Sequence, residues 1–178
     1  MIRVFAGYDP REAAGFHVFC QTLIENSSAP ISITPVMGKQ RDGTNAFTYS
    51  RFMTPFECEF KGWAIFMDAS DMLVRGDIAQ LLPSPQLGCA VHVVKHDYKT
   101  LHPVKYLGTD MEAPNYDYPR KNWSSVILWD CGHYANQVLT PQRDAHLWEW
   151  VLIMPIYFLR TFVQTTIIFE IVDVRPLM

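Results

Sequence analysis

Short apolar runs separated by helical or turn-rich segments make up most of this sequence. The runs at residues 2–6, 31–36, 63–67, 90–96 and 126–129 have the length and the β-branched or aromatic content of strands. Helical patterns lie between several of them. This succession predicts an α/β fold with a mixed, mostly parallel sheet flanked by helices.

The first run leads into a clear helix start. Asp9 has the position of a helix N-cap, Pro10 that of the first helical residue, and Glu12 follows the cap at the spacing of a capping box. The helix is predicted to extend to about Asn26. The residues expected on its apolar face are Ala13, Phe16, Cys20, Leu23 and Ile24.

Prolines limit two of the following elements. Because Pro35 cannot donate to a strand ladder, the run at 31–36 is predicted to lie at a sheet edge or to stop at Thr34. A short helix is predicted over residues 46–56, limited by Pro55. Residues 76–82 are predicted to form another short helix, with Asp77 as its cap.

The segment 61–74, KGWAIFMDASDMLV, is the centre of the chain's organisation. A buried strand at 63–67 runs directly into Asp68 and Asp71. Open α/β sheets bind ligands outside the carboxyl ends of their strands, and paired carboxylates there suit Mg²⁺ or Mn²⁺ shared with a phosphate. The alternative for Asp68 is that it only caps a turn.

Composition narrows the class of protein. The chain has 178 residues, 49% of them hydrophobic and 19% charged, which fits one domain with a substantial core. The net charge of −3, without a long basic run, gives no footprint for nucleic acid. We therefore expect a small-molecule or glycan substrate.

The cysteines and the N-terminus point to a reducing compartment. Four widely spaced cysteines show neither zinc-ligand spacing nor a disulfide framework and are expected to be buried thiols. The segment MIRVFAGYD does not have the pattern of a signal peptide. A cytoplasmic location is the expectation.

Two motifs now point to a family. FMDASDMLV, at 66–74, resembles the "DxD" strand of nucleotide-sugar-dependent glycosyltransferases with the GT-A fold, most closely those of glycosyltransferase family 8. The segment Tyr49-Ser50-Arg51-Phe52 resembles the helix that precedes this strand in the family. The resemblance implies a Rossmann-like GT-A domain over residues 1–140. In this chain the acids are three positions apart rather than two.

The resemblance also implies roles for individual residues. Ala6, Gly7, Tyr8 and Asp9 would lie near the donor's uridine or its equivalent, although the same residues could simply form a capped helix start. Arg51 would reach the donor's diphosphate, for which a guanidinium offers a rigid fork of donors. Asp68 and Asp71 would bind Mn²⁺ or Mg²⁺ together, or one would bind metal and the other the ribose.

Four further residues are candidates for binding the sugar or the acceptor. His96 and Asp97 follow the strand at 90–96 and share the rim of the acids if that strand is parallel. Asn122 and Ser124 precede the strand at 126–129, in a segment that resembles the family's second signature. They reach the same rim only if this strand runs antiparallel.

The connection at 97–122 is long and rich in Tyr and Lys. Aromatic faces stack on sugar rings and Lys tips reach phosphates or hydroxyls, so an acceptor-binding lid is one prediction. A packed surface loop is the other.

Residues 141–178 differ from the rest of the chain. The run at 150–159 is apolar but too short to span a bilayer, and residues 161–174 could form one or two strands. The resemblance would have implied a C-terminal segment with a further metal ligand, which this stretch does not match. The expectation is a hydrophobic tail that is truncated or atypical, with a native membrane-surface element as the alternative.

The function that the resemblance implies is transfer of a glycosyl unit from a nucleotide sugar to a glycan or other hydroxyl acceptor, assisted by a divalent metal. The expected donor is a UDP-sugar. Two alternatives stay open. One is a truncated, non-catalytic GT-A-like domain that binds nucleotide sugar weakly or not at all. The other is a nucleotidyltransferase, which would normally carry a Gly-rich, basic phosphate loop near the first strand.

Overall fold

The computed structural model describes residues 1–38, 45–82, 89–94, 99–118, 121–141, 159–162 and 169–171, the last two as backbone only. Within these residues the strands are β1 (Ile2–Gly7), β2 (Ile31–Val36), β3 (Trp63–Met67), β4 (Met72–Val74), β5 (Val91–Val94), β6 (Val104–Lys105), β7 (Ala113–Pro114), β8 (Val126–Asp130), β9 (Leu159–Phe162) and β10 (Phe169–Ile171). The α-helices are α1 (Ala13–Glu25) and α2 (Thr54–Glu57). Short 3-10 helices span Pro10–Glu12, Ser50–Met53, Ile78–Leu81, Trp123–Ser125 and Tyr134–Val138.

One mixed sheet dominates the described part of the chain. Its strand order is β2-β1-β3-β8-β5-β9. β1 is parallel to β2 and β3, β5 is parallel to β9, and β8 alone runs antiparallel to both of its neighbours. The predicted α/β class with a mostly parallel sheet is therefore confirmed, and the antiparallel direction required of the strand at 126–129 is observed.

Both faces of the sheet are covered. Successive residues of its central strands point to opposite faces, and those on each face are apolar. On β3, Ile65 and Met67 enter one core cluster, which includes Phe16 and Leu23 of α1. Ala64 and Phe66 enter the other cluster, which packs beneath α2 and the loop before it. A near-continuous apolar run is typical of a strand buried on both faces.

Helix α1 ends with Glu25 and is capped by Asn26, as expected, but its buried face is rotated from the prediction. Phe16, Phe19 and Leu23 are buried, whereas Ile24 is 57% exposed. Ile24 was therefore wrongly placed on the buried face. Phe16, Phe19 and Leu23 follow the 3-4 spacing that points at β4 and the sheet, and Ile24 lies one position beyond that stripe.

Both proline predictions can now be compared with the structure. β2 is an edge strand, as predicted, and it continues through Pro35 to Val36. Pro55, in contrast, does not limit a helix over 46–56. It lies in the first turn of α2, where its missing N–H costs nothing, and a 3-10 helix at Ser50–Met53 precedes it.

Two described segments beyond residue 140 are strands. β9 pairs in parallel with β5, and β10 pairs antiparallel with β4. The prediction of strand structure in this region is confirmed, while the division of the chain at residue 140 stays a prediction.

In the described ranges, no helix has both the length and the apolar character needed to cross a bilayer. Cys20, Cys58, Cys89 and Cys131 are all free thiols, and all but Cys20 are fully buried.

Candidate functional site

Three chain segments meet at one edge of the main sheet. β1 ends there at Gly7 and β3 ends there at Met67. β8 begins at the same edge because it runs antiparallel to β3, with its first residue, Val126, opposite Met67. The Asp68 N–H extends this pairing by donating to the Ser125 carbonyl at 2.9 Å. Asp68 is thereby fixed beside the entrance of β8.

Arg51 joins these segments from the 3-10 helix at Ser50–Met53. Its Nη1 donates to the Ser124 carbonyl at 2.8 Å and to Ser124 Oγ at 3.1 Å, and its Nε donates to the Thr48 carbonyl at 2.9 Å. The same Nη1 lies 2.8 Å from Asp68 Oδ1. The guanidinium also lies over the Phe66 ring, 5.1 Å from its centroid. Arg51 is buried, and its charge therefore acts on Asp68 with little solvent screening.

The turn after β3, residues 68–71, carries both predicted acids and is defined here as the acid turn. Ala69 has φ of 71°, and the Ser70 N–H donates to the Asp68 carbonyl two residues back, at 2.9 Å. This is a γ-turn of the rare form with positive φ, which is a strained conformation for alanine. Ala69 has no exposed surface, and its methyl group packs in the core. The acid turn is thus a tight, anchored structure, with Asp68 partly buried and Asp71 exposed.

Helix α1 packs directly against the acid turn at Gly15. A Cβ added at Gly15 would lie 2.0 Å from the Ser70 carbonyl oxygen. Only glycine allows this approach, although glycine lowers the intrinsic stability of a helix interior. The position of the acid turn is therefore set partly by a missing side chain on α1.

The end of β1 holds the four residues predicted to lie near the nucleoside. Ala6 is fully buried in the core. A Cβ at Gly7 would lie 2.6 Å from the Phe47 ring, so this glycine admits the aromatic ring over the strand end. Tyr8 is half-buried, and its ring packs edge-on against Phe16 with centroids 4.9 Å apart.

Asp9 connects the end of β1 to the segment before Arg51. As predicted, it caps the following helical turn, since its side chain accepts from the Arg11 N–H, and Pro10 occupies the first turn. Its carboxylate also binds the Arg11 guanidinium at 2.6 Å and accepts from the Ala46 N–H at 3.0 Å. The pKa of Asp9 is lowered to about 2. The main cause is the hydrogen bond from the Arg11 side chain, and the backbone N–H groups of Arg11 and Ala46 add to it. Its carboxylate is only 1% exposed, which favours a structural part for this residue.

Glu12 does not complete the predicted capping box but reaches across to the site. Its Oε2 accepts from Ser70 Oγ at 3.0 Å and from Asn45 Nδ2 at 2.9 Å. Burial raises the pKa of Glu12. Tyr106 Oη lies 3.4 Å from Asn45 Oδ1, and burial, together with the charges of Glu12, Asp71 and Asp68, raises the pKa of Tyr106.

The predicted long connection includes a small antiparallel hairpin, β6 and β7, that extends toward α1. Lys121 ties it down: its Nζ donates to Thr100 Oγ1 at 2.8 Å, to Asn115 Oδ1 at 2.6 Å and to the Tyr116 carbonyl at 2.7 Å. A cavity of about 210 Å³ separates the hairpin from the start of α1. The cavity is lined by Arg11, Glu12, Tyr106, Thr109, Asp110 and Met111.

The predicted sugar and acceptor residues divide into two groups. Ser124 contacts Arg51, and Asn122 adopts a left-handed conformation with φ of 64° at the start of the 3-10 helix Trp123–Ser125. Both precede β8, and the residue after Ser124, Ser125, accepts from the Asp68 N–H. His96 and Asp97 lie outside the described residues, so their predicted place stays a prediction.

The carboxylates of the acid turn are the kind of ligand that a hard divalent cation binds together with a phosphate. Asp68 Oδ1 is buried, and despite its short distance to Arg51 Nη1 it accepts no hydrogen bond with acceptable geometry within the described part of the chain. Asp71 offers an exposed carboxylate nearby in sequence. The described ranges contain no cluster of three or more acidic, His or Cys side chains that could hold a metal. One or two carboxylates completed by phosphate oxygens and water is, however, the usual ligand set of Mg²⁺.

Sequence reasoning missed the part that Glu12, Asn45 and Ser70 play together. Glu12 was interpreted only as a capping residue, and Asn45 only as part of a polar turn. The one available signal was Ser70 itself, a hydroxyl placed between two acids at the end of a buried strand. Its partner is 58 positions away, and nothing in the local pattern identifies it.

Comparison with known sequences gives a relative but no matching family model. No protein-family model matches the sequence. The chain is 37% identical over 153 residues to Protein CDI of Arabidopsis thaliana, with 79% of this chain and 57% of that protein aligned. The chain therefore spans little more than half the length of this relative.

Among solved structures, the fold is similar to the WbbM bifunctional glycosyltransferase in its apo form. The TM-score is 0.60 with 15% sequence identity, over 92% of this chain and 38% of WbbM. A glycosyltransferase involved in the glycosylation of the major capsid of PBCV-1 gives 0.48 with 14% identity, over 83% of this chain and 68% of that one. GlyE of Streptococcus pneumoniae TIGR4 gives 0.49 with 13% identity, over 85% and 38%. The WbbM likeness shows that this chain has a glycosyltransferase-like, GT-A-type α/β fold.

Proposed function

We propose that this chain binds a nucleotide-sugar donor, of the UDP-sugar class, and takes part in transfer of its sugar to a hydroxyl acceptor, in the manner of family-8 glycosyltransferases. The observation that carries the proposal is the meeting of Arg51, Asp68 and Ser124 at the ligand-binding edge of a GT-A-type sheet. The same edge carries a buried carboxylate oxygen that accepts no hydrogen bond among the described residues.

The donor's diphosphate is proposed to lie against the acid turn and Arg51. The guanidinium is fixed by two backbone carbonyls, those of Thr48 and Ser124, and presents a preorganised positive charge. Such a charge stabilises a leaving diphosphate without reorganising during the reaction. Asp68 and Asp71 would hold a divalent cation, Mn²⁺ or Mg²⁺, which when bound would neutralise the charge developing on the diphosphate.

The nucleoside is proposed to extend along the end of β1 toward the hairpin. Tyr8 is half-buried there, and the cavity between Glu12 and Tyr106 has polar and aromatic walls. A volume of about 210 Å³ is enough for a small ring system. Aromatic walls with a few placed polar groups are characteristic of small-molecule sites.

The sugar and the acceptor would then lie toward the entrance of β8. The Ser124 hydroxyl faces Arg51. Tyr116 and Tyr118 are exposed aromatic side chains in the connection that was predicted to be an acceptor-binding lid. Aromatic faces of this kind stack on sugar rings.

A turnover assay tests the proposal. The purified chain is incubated with a panel of UDP-sugars and Mn²⁺, and release of UDP is measured with and without simple glycan acceptors. The expected result is slow release that requires metal and falls at least about tenfold in Asp68→Asn. If the folded chain binds UDP with metal yet releases none from any sugar, the transfer reaction is excluded and donor binding alone remains.

A further inference from the structure

We infer that Glu12 is a positioning residue for the acid turn: through Ser70 it holds the carboxylates of Asp68 and Asp71 in place and couples them to the loop before Arg51 and to the hairpin. The consequence for donor binding rests on the proposed function. The positioning itself rests only on the contacts of Glu12.

The first step of the argument is the position of Ser70. Ser70 lies between the two acids, and its Oγ donates to Glu12 Oε2 at 3.0 Å. Its backbone is already constrained, because its N–H closes the γ-turn and its carbonyl lies against Gly15. A strained turn persists only where its surroundings over-determine it. The hydrogen bond to Glu12 supplies a contact from the side-chain end of Ser70.

The second step is that the same oxygen of Glu12 has another partner. Asn45 Nδ2 donates to Oε2 at 2.9 Å, and Asn45 begins the segment that leads to Arg51. Asn45 is in turn approached by Tyr106 of the hairpin at 3.4 Å. One half-buried carboxylate therefore lies at the junction of the acid turn, the Arg51 segment and the hairpin.

The third step concerns burial. Hydrogen bonds gain strength where solvent is partly excluded. Glu12 is only partly exposed. Because Glu12 contacts Ser70 rather than the carboxylates themselves, its effect on a ligand must pass through the geometry of the turn.

Amide hydrogen exchange tests the positioning without any donor. In Glu12→Ala, the amides of Ser70 and Met72, both bonded within the turn, should exchange about tenfold faster, and those of the hairpin should also accelerate. Glu25→Ala is the matched control, an exposed glutamate of α1 bonded to Gln21 on its own helix. Unchanged exchange at Ser70 and Met72 in Glu12→Ala would overturn the inference.

Two further variants separate positioning from general stability. Glu12→Gln keeps an acceptor oxygen for Ser70 and should restore exchange to within about twofold of the natural chain. Ser70→Ala should reproduce the effect of Glu12→Ala on the turn, and the double variant should be no worse than either single one. Additive effects in the double variant would mean that Glu12 does not act through Ser70.

Mn²⁺-dependent UDP affinity gives the functional readout. It should fall about tenfold in Glu12→Ala and in Ser70→Ala, and it should recover in Glu12→Gln. If the natural chain binds no UDP, the proposed function fails while the exchange result still decides the part of Glu12. If UDP binds and neither variant weakens it, the inferred link between the turn's geometry and the ligand is wrong.

Discussion

Arg51 and Asp68 form an ion pair, with Nη1 2.8 Å from Oδ1, at the one point where β3 ends and β8 begins. Their side chains are only 9% and 21% exposed. Arg51 also binds the backbone of Ser124, so a single guanidinium pairs with the Asp68 carboxylate and attaches the acid turn to the neighbouring strand. Structure and proposed chemistry therefore depend on the same contact.

Arg51→Met should lower the free energy of unfolding by about 2–4 kcal/mol, because it leaves a partly buried carboxylate uncompensated and frees two backbone carbonyls. Urea unfolding of the purified variant measures this. The matched control is Lys61→Met, which removes an ion pair to Glu59 in which both side chains are about four-fifths exposed. That change should cost less than about 1 kcal/mol. Equal losses in the two variants would contradict the buried character assigned to Arg51.

Gly15→Ala should destabilise the chain by about 1–3 kcal/mol, although alanine normally favours a helix. The added methyl group would be 2.0 Å from the Ser70 carbonyl oxygen, so the helix or the acid turn must move. Thermal unfolding gives the stability, and UDP titration should show weakened binding. Ala14→Gly, at the exposed neighbouring position, is the control and should cost about 0.5–1 kcal/mol without affecting binding. A more stable Gly15→Ala variant would show that α1 does not buttress the turn.

The difference between what the sequence predicted and what it missed follows from the range of the interactions. Strand β3 matched its predicted bounds because a short apolar run between Gly62 and Asp68 carries its own limits. The Asp9 cap was equally local. Gly15 and Glu12 act on Ser70 from more than 50 positions away, and their roles depend on how α1 packs on the turn. No periodicity within α1 encodes that packing.

Asp9 should make stability depend on acid pH. Its folded pKa of about 2 is below the ordinary value of 3.8, so its contribution is complete above about pH 4 and is lost as pH falls through about 2. The shift corresponds to about 2 kcal/mol. Asp9→Asn should therefore be less stable at neutral pH, and the gap to the natural chain should narrow between pH 4 and 2. Urea midpoints across that range measure it, and parallel curves for the two proteins would argue against the Asp9–Arg11 contact.

Asn122→Gly separates a backbone role from a ligand role. Because Asn122 has φ of 64°, glycine accommodates the same conformation, and stability should change by less than about 1 kcal/mol. If the amide binds the sugar or acceptor, the variant should still bind UDP but lose affinity for UDP-sugar about tenfold. Paired titrations with UDP and UDP-sugar measure both. Unchanged affinity for UDP-sugar would leave Asn122 with a conformational role alone.

The direction of β8 shows how a conditional prediction can be resolved by topology. Asn122 and Ser124 precede the end of β8 that lies beside Asp68 because β8 runs antiparallel to β3, which no local pattern in the 126–130 segment specifies. The resemblance to known sequences suggested the segment, and the sheet supplied its orientation. Which side chains contact a ligand is a matter of fine geometry that a pattern of residue types cannot give.

Calorimetric titration of UDP into the purified chain, with Mn²⁺ and then with EDTA, tests the central claim most directly. The natural chain should bind UDP only with metal, and Asp68→Asn should lose binding while remaining folded by circular dichroism. Asp77→Asn, which neutralises the half-buried cap of the short helix Ile78–Leu81 but keeps a capping side chain, is the control and should bind normally. Binding that is indifferent to metal and to Asp68, or no binding by the folded natural chain, would contradict a donor site at the acid turn.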